Sequence, residues 1–330
     1  MTSQGHPAIG ILGLGQIGGS IALDLVGDTQ VSFYARSAEV QEFGRAAGFE
    51  PCRSLSELSR RSDLIFIAVP VDQTIGVMED LKEYLRPQQI ITDVGSTKAS
   101  LAEWALKSSW PTDVEFIGGH PMAGTDRSGF AGARKGLFEG RTWILTPDIG
   151  ERNRSADSLI RLMQFVTSKL GARVGIMDSE THDHSVAMVS HLEHVIATAL
   201  VSLVRSSNER SMLSHLVAGS FMDATRVAKS SSKMAVPFLC ENLFLAKTVS
   251  DFMAEIEKIS SMLIDQESLS NIWEGNADWR RDLERNVSVS DVVTVKRDSG
   301  LIGVLKVMTR EGRFICSVDP GSTEILLNLC

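Results

Sequence analysis

Short apolar runs alternate with amphipathic stretches over the first half of the chain. The runs typical of strands are Ala8–Leu14, Val31–Ala35, Asp63–Pro70, Gln89–Asp93, Glu115–Gly118 and Thr142–Leu145. Most of them are apolar throughout, as expected for parallel strands covered on both faces. Helical spacing separates them, for example over Gly15–Val26 and Val71–Leu85. The alternation predicts a doubly wound α/β sheet over residues 1–177, extended by a helix over Ser155–Leu170 and a strand over Arg173–Ile176.

The apolar pattern changes near residue 178. Helical i, i+3, i+4, i+7 spacing then fills four stretches, Ser179–Arg205, Glu209–Ala218, Val236–Ile264 and Gln266–Leu283. These predict an all-helical second domain over residues 178–286. From Val287 onward, VVTVKR, LIGVLKVMT and FICSV predict three strands, with turns at Gly300 and Gly312. We therefore expect a short β-rich appendage over residues 287–330, too small for an independent core.

Composition narrows the class of protein. The net charge is -8, with 41 acidic and 33 basic residues, which argues against a nucleic-acid partner. The strongest apolar run, Leu64–Val71, is far shorter than the ~20 residues that a membrane span needs. The first basic residue is Arg36, so no secretory signal is predicted. Four scattered cysteines (Cys52, Cys240, Cys316 and Cys330) are expected to be reduced, as in a cytoplasmic protein.

A glycine-rich turn follows the first predicted strand. In Gly13-Leu14-Gly15-Gln16-Ile17-Gly18, the first glycine permits a tight turn and the second lets a pyrophosphate approach the backbone. The third lets helix and strand pack closely, so phosphates can bind at the helix N-terminus. This pattern predicts a Rossmann-type dinucleotide site, with S-adenosylmethionine binding as the alternative. The residues predicted to contact the dinucleotide are Gly13, Gly15, Gln16, Ile17 and Gly18, together with Val69 at the end of a later strand.

The end of the second predicted strand bears on the choice of dinucleotide. An NAD site normally places an acid there, against the ribose 2′-hydroxyl. Here Arg36 and Ser37 occupy the position, and the first acid is Glu39. An arginine suits a 2′-phosphate, so the sequence favours NADP over NAD, unless Arg36 is a solvated loop residue.

Two polar clusters follow strands and are expected at the carboxyl edge of the sheet, where ligands bind. One is Asp93–Lys98 (DVGSTK) and the other is Gly118–Asp126 (GGHPMAGTD). His120 in the second cluster is a candidate general base. The alternative is a structural loop histidine.

Four histidines occur within thirteen residues, in His182-Asp183-His184 and Ser190-His191-Leu192-Glu193-His194. On a uniform helix His191 and His194 share a face, whereas His182 lies opposite His191. No cysteine or carboxylate pair completes a metal shell, so no metal is predicted. We expect these histidines to face an anionic substrate or to pack the long helix.

Asp223 and Arg226 have i, i+3 spacing, which lets the carboxylate orient the guanidinium. An arginine held in this way suits capture of a substrate carboxylate. A surface ion pair of little energetic value explains the spacing equally well.

Five stretches together resemble the prephenate/arogenate dehydrogenase family of tyrosine biosynthesis. They are GLGQIGGS, DVGSTK, FIGGHPMAGTDRSG with LFEGRTWILTP behind it, HDHSVAMVSHLEH and GSFMDATRVA, in the family's order over residues 8–245. The resemblance implies a nucleotide domain and a helical domain that builds a homodimer. It implies NAD(P)-dependent oxidative decarboxylation of prephenate or arogenate.

The resemblance also assigns roles to residues. His120 and Ser96 match the catalytic pair, Arg226 matches the arginine that holds a substrate carboxylate, and further residues match the pocket: His191, His194, Thr125, Asp126 and Asp223. The chain departs from the family at Met222, at Glu193 and over 233–235. These departures leave the substrate preference open. The alternatives are a 4-amino-4-deoxyprephenate dehydrogenase of an antibiotic pathway and a non-catalytic NAD(P)-binding regulator.

Overall fold

A parallel sheet begins the fold. The computed structural model describes residues 7–124, 127, 129–147, 156–285 and 291–330. The sheet has the order β3-β2-β1-β4-β5-β6, with all neighbours parallel. Its strands are β1 Ile9–Leu12, β2 Val31–Tyr34, β3 Glu50–Pro51, β4 Leu64–Ile67, β5 Ile90–Asp93 and β6 Glu115–Phe116. The connecting helices are α1 Gln16–Asp24, α2 Ala38–Ala46, α3 Leu55–Arg61, α4 Val71–Lys82 and α5 Ala99–Lys107.

The central strands β1 and β4 are buried along their whole length, which explains why neither carries a polar side chain. In β4, Phe66 packs in one apolar cluster, whereas Ile65 and Ile67 pack in the other. Helices cover both faces, as expected for parallel strands. The predicted doubly wound α/β architecture is therefore confirmed.

A second sheet begins directly after β6. Its first strands are β7 Gly118–Pro121, β8 Thr142–Thr146 and β9 Arg173–Ile176, with α6 Ala156–Leu170 between the last two. β7 is antiparallel to β8, and β8 is parallel to β9. The predicted helix and strand near residues 155–176 are present, but they belong to this second sheet and do not extend the first.

Between β9 and residue 285 the structure describes seven α-helices. They are α7 Ser179–Val186, α8 Leu192–Arg205, α9 Arg210–Leu216, α10 Gly219–Ala224, α11 Ser232–Glu241, α12 Leu245–Ser261 and α13 Gln266–Arg285. A π-helical turn over Ala187–His191 joins α7 to α8 in one continuous helix. The helical second domain is thus confirmed, except that the expected single helix over Val236–Ile264 is broken at Asn242, whose backbone is extended.

The continuous helix Ser179–Arg205 has the length and composition of a membrane span, with a mean hydropathy of 1.5 in its most apolar window. Polar residues interrupt this helix, so its sequence contains no long unbroken apolar run. Two of these, His182 and Asp183, are fully buried and hydrogen-bonded within the protein. Such a network belongs to a protein interior, so length and hydropathy alone are weak evidence for a membrane helix.

The C-terminal residues return to the second sheet. They form β10 Asp291–Lys296, α14 Leu301–Arg310, β11 Ile315–Pro320 and β12 Glu324–Leu329. The completed sheet has the order β10-β12-β11-β9-β8-β7. In addition, the backbone N–H of Ile176 donates to Thr309 Oγ1 over 2.8 Å, and Lys306 forms an ion pair with Asp178. The β-rich segment therefore packs on the half of the molecule that contains β1–β9.

Two predictions for this segment are wrong. The stretch LIGVLKVMT is the helix α14 and not a strand, because Leu301, Leu305 and Met308 recur with helical spacing and are all buried. Cys316 and Cys330 are not reduced. They form a disulfide that joins strand β11 to the residue directly after its partner strand β12, with the two Cα atoms 5.9 Å apart.

Candidate active site

A cavity of about 740 Å³ lies between the edge of the parallel sheet and the helical domain. It is bounded by the start of α1, the segments after β4 and β5, the end of β7, and helices α8 and α11. The structure brings most of the predicted site residues to its wall: Gly15, Gln16, Ile17, Val69, Ser96, His120, His191, His194 and Arg226. Residues from both domains therefore share one cavity.

The glycine turn has the shape that a pyrophosphate needs. Gly13 has a φ of +95°, and a Cβ there would lie 2.5 Å from the carbonyl oxygen of Ala68. A Cβ on Gly18 would overlap the carbonyl oxygen of Gly13, so both positions require glycine. A Cβ on Gly15 would meet nothing within 4 Å. This open space lies directly before the N-terminus of α1, which suits the phosphates of a dinucleotide.

Several predicted residues lie elsewhere. Arg36 is exposed at the end of β2, outside the cavity wall, and its Nη2 donates to Gln73 Oε1 over 2.5 Å. Ser37 caps α2, where its Oγ accepts a hydrogen bond from the N–H of Val40. Asp223 is exposed and away from the wall, and no ion pair joins it to Arg226 in the described part of the chain. Thr125 and Asp126 lie outside the described residues.

His120 lies within a strand and not in a loop as the sequence predicted. It is the third residue of β7, opposite Ile144 of β8, and only 9% of it is exposed. Its Nδ1 lies 2.8 Å from Nε2 of His182, and Nδ1 of His182 lies 2.7 Å from Oδ1 of Asp183. Pairing of β7 with β8 thus fixes the backbone, while a second histidine fixes the ring.

The carboxylate of Asp183 acts only as an acceptor. Its Oδ1 accepts from the N–H of Lys98 over 2.7 Å, and its Oδ2 accepts from the N–H of Ala99 over 2.9 Å. It therefore draws the proton of His182 to Nδ1, which leaves Nε2 of His182 as the acceptor for His120. In this arrangement Nδ1 of His120 carries the proton, and Nε2 of His120 keeps a lone pair.

Burial keeps these histidines neutral. It lowers the pKa of His120 well below its ordinary value, and the neighbouring His182, Lys98 and His191 lower it further. Burial also lowers the pKa of His182, although the hydrogen bond to Asp183 opposes the shift. A neutral His120 is in the correct protonation state to accept a proton.

Asp93 and Lys98 form a buried ion pair that sequence reasoning did not single out. The Asp93 carboxylate also accepts from the N–H of Gly95 over 2.8 Å and from the N–H of Gly119 over 3.2 Å. These bonds tie the loop that carries Ser96 to the residue before His120. The signal was present in the sequence, because the pair begins and ends the DVGSTK stretch.

His191 lies across the cavity on the helical domain. Its Nδ1 is 2.9 Å from Nδ2 of Asn242, and its Nε2 is buried with no partner among the described atoms. Burial lowers the pKa of His191 to about 4. The rings of His191 and His194 both pack on Phe238, with centroids 4.7 and 5.1 Å away.

The π-helical turn changes which helix faces meet. A uniform helix places His182 and His191 on opposite sides, but the wider turn between them rotates one relative to the other. Both residues consequently join one network around Asp183. Within the described residues, no three His, Cys, Asp or Glu side chains are placed to hold a metal ion.

Two family models match the chain. One describes the prephenate dehydrogenase nucleotide-binding domain and matches residues 22–192, and the other describes the prephenate dehydrogenase dimerization domain and matches residues 178–274. The cyclohexadienyl dehydrogenase of Zymomonas mobilis is 32% identical, over 78% of this chain and 89% of that protein. The prephenate dehydrogenase of Bacillus subtilis is also 32% identical, over 82% of this chain and 74% of that protein.

Solved structures give the same result. A prephenate dehydrogenase from Aquifex aeolicus, in complex with hydroxyphenyl propionate and NAD+, superposes with a TM-score of 0.76 at 27% identity. The match covers 86% of this chain and 100% of that one. Arogenate dehydrogenase from Synechocystis superposes with a TM-score of 0.70 at 26% identity, over 84% and 99% of the two chains.

Proposed function

The chain belongs to the prephenate dehydrogenase family, and we propose that it converts prephenate or arogenate to an aromatic product in tyrosine biosynthesis. The reaction is an oxidative decarboxylation that uses NAD(P). The observation that carries the proposal is the state of His120: a buried, neutral imidazole at the cavity wall, with one nitrogen held by His182 and the other left as an acceptor.

Each residue has one task in this reaction. When bound, the oxidised nicotinamide supplies the acceptor for the hydride that leaves ring C4 of the substrate. Nε2 of His120 accepts the proton of the 4-hydroxyl group, and Ser96 donates a hydrogen bond to the same oxygen. Arg226 pairs with a substrate carboxylate. Loss of the ring carboxylate as CO2 leaves its electron pair in an aromatic phenolate, which takes back the proton that His120 held. The aromatic ring makes the conversion favourable.

The fold supports this division of work. The nucleotide-binding domain contributes Ser96 and His120, and the helical domain contributes Arg226 with the two histidines His191 and His194. The open space at Gly15 lies on the same cavity. A dinucleotide and a ring substrate can thus meet between the domains, where orientation provides much of the rate enhancement.

We infer a preference for NADP over NAD. The end of β2 carries Ala35, Arg36 and Ser37 and no carboxylate to select a free 2′-hydroxyl. The hydrogen bond to Gln73 on α4 holds the guanidinium of Arg36 at that end of the strand. Its planar donors match phosphate oxygens. An arginine in this position favours the phosphorylated cofactor.

We also propose that the protein works as a homodimer joined through the helical domain. Residues 178–274 match a dimerization domain. Large apolar side chains on these helices are exposed in the single chain, including Leu203, Met212, Leu216 and Trp273. A second copy that covered them would remove a large apolar surface from water. Such a surface also accounts for the high hydropathy of Ser179–Arg205.

One assay tests the proposed reaction. Purified protein is mixed with NADP+ or NAD+ and with prephenate, arogenate or 4-amino-4-deoxyprephenate, and the reduced nicotinamide is followed by absorbance. We expect turnover with prephenate or arogenate and release of one CO2 for each hydride transferred. Turnover with the amino substrate alone would contradict the role of His120, because that reaction needs no proton acceptor at C4. Binding of cofactor without turnover of any substrate would indicate a regulator.

A further inference from the structure

We propose that Asn242 is a positioning residue that fixes His191 in one tautomer, so that Nε2–H of His191 points into the cavity as a neutral hydrogen-bond donor. Asn242 is the residue at which the chain turns from α11 into α12, and only 4% of it is exposed. The identity of the acceptor, a substrate oxygen, rests on the proposed function. The tautomer itself does not.

The orientation of the Asn242 amide is settled by two backbone groups. Its Oδ1 accepts a hydrogen bond from the N–H of Phe244 over 3.0 Å. Its Nδ2 donates to the carbonyl oxygen of Asp183 over 2.9 Å. If the amide were turned the other way, its nitrogen would face the N–H of Phe244 and its oxygen would face the carbonyl oxygen of Asp183. Neither contact is a hydrogen bond, so the nitrogen must lie on the side of Asp183.

The same nitrogen lies 2.9 Å from Nδ1 of His191. An amide nitrogen only donates, and therefore Nδ1 of His191 must accept. A neutral imidazole with an accepting Nδ1 carries its proton on Nε2. The ring cannot readily turn away, because Phe238 packs against it with a centroid distance of 4.7 Å.

The proton on Nε2 has no acceptor within the described part of the chain. Nε2 of His191 is buried and unpartnered among the described atoms, and the residue itself is 1% exposed at the cavity wall. A buried N–H without an acceptor costs free energy, which a ligand oxygen in the cavity recovers. A carboxylate or hydroxyl oxygen of the ring substrate supplies that acceptor.

The cavity then holds two neutral histidines of opposite polarity. His120 presents a lone pair on Nε2 because Asp183 acts through His182, and His191 presents a proton on Nε2 because Asn242 donates to its other nitrogen. Asn242 also holds the backbone of Asp183, so one connected network sets both. A substrate is then placed by a donor on one side and an acceptor on the other.

Imidazole 15N spectra of the uniformly labelled protein test the tautomer without substrate or turnover. The His191 signals are assigned by their loss in His191→Gln. At pH 7 we expect an unprotonated Nδ1 and a protonated Nε2 in the wild type. The reverse pattern in the wild type would overturn the proposal, whether or not the protein is an active dehydrogenase.

Kinetics tests the function of the donor. Asn242→Asp places an acceptor at Nδ1 and should raise the prephenate KM about 10-fold or more, with a smaller change in kcat. In the His191→Gln background, where an amide replaces the imidazole and has no tautomer, the same substitution should change KM less than about 2-fold. Equal effects in both backgrounds would mean that Asn242 acts only on the fold and would refute the proposal. Asn208→Asp, exposed and outside the cavity, is the matched control.

Discussion

Nδ1 of His120 and Nε2 of His182 lie 2.8 Å apart, although 62 residues and a domain boundary separate them in the chain. His120 belongs to strand β7, whereas His182 belongs to the first helix of the helical domain. The proton acceptor of the proposed reaction is therefore oriented from the domain opposite its own. Any change in how the domains pack alters the base directly.

Replacement of His120 by Asn should lower kcat by about 10²–10⁴-fold, the usual range for a lost general base, and leave KM nearly unchanged. Steady-state kinetics with saturating cofactor measures both constants. His184→Asn is a suitable control, because His184 is exposed and does not line the cavity. Near wild-type turnover in His120→Asn would show that another group accepts the proton.

The stability of the protein should depend on pH through its buried histidines. Their pKa values are lowered from 6.5 in the folded state, that of His191 to about 4. Between pH 6.5 and about pH 4, the unfolded chain binds protons at these histidines that the folded chain does not. The contribution of the neutral histidines to the free energy of unfolding is therefore greatest above pH 6.5 and decreases as the pH falls towards 4. Denaturant unfolding at several pH values should show a flatter dependence in His191→Gln. An unchanged slope would exclude a contribution from His191.

Arg226 and Asp223 can be separated by mutation. Arg226→Ala should raise the substrate KM about 10- to 100-fold, since it removes a charge-assisted contact worth ~1.5–3 kcal/mol. Asp223→Asn should change KM less than about 2-fold, because Asp223 is exposed and lies outside the cavity wall. A comparable increase in KM in both variants would instead support the ion pair between Asp223 and Arg226 that the sequence spacing suggests.

The cofactor preference depends on the end of β2. We expect a higher kcat/KM with NADP than with NAD, and we expect Arg36→Ala combined with Ala35→Asp to reverse the order. The new carboxylate would repel a 2′-phosphate and accept from a free 2′-hydroxyl. An unchanged kcat/KM with NADP in Arg36→Ala alone would show that the guanidinium does not contact the cofactor. Initial rates with each cofactor, at saturating prephenate, measure the ratio.

The parts of the site that the sequence predicts are those that depend on local pattern. Gly15 and Ser96 each follow an apolar strand, and the ends of parallel strands meet at one edge, so their proximity is predictable. The placement of His182, Asp183 and Asn242 depends on contacts between distant segments; His191 and Asn242, for example, are 51 positions apart in the sequence. No short-range pattern records such contacts.

Local ambiguity explains the other differences. The π-helical turn is built from residues with ordinary helical preferences, so sequence spacing does not reveal the change in register. The run LIGVLKVMT is apolar enough for a strand or a helix, and only the burial of Leu301, Leu305 and Met308 distinguishes them. The Cys316–Cys330 pair depends on the antiparallel pairing of β11 and β12.

Because the chain returns to the second sheet after the helical domain, the nucleotide-binding domain is built from two separate segments of the sequence. The helical domain is an insertion between β9 and β10, held by two covalent connections, and this restricts its rotation more than a single hinge would. During synthesis β9 remains an open sheet edge until β11 is made, more than a hundred residues later. The nucleotide-binding domain, whose first strand is synthesised first, is therefore completed only after the whole dimerization region has been synthesised.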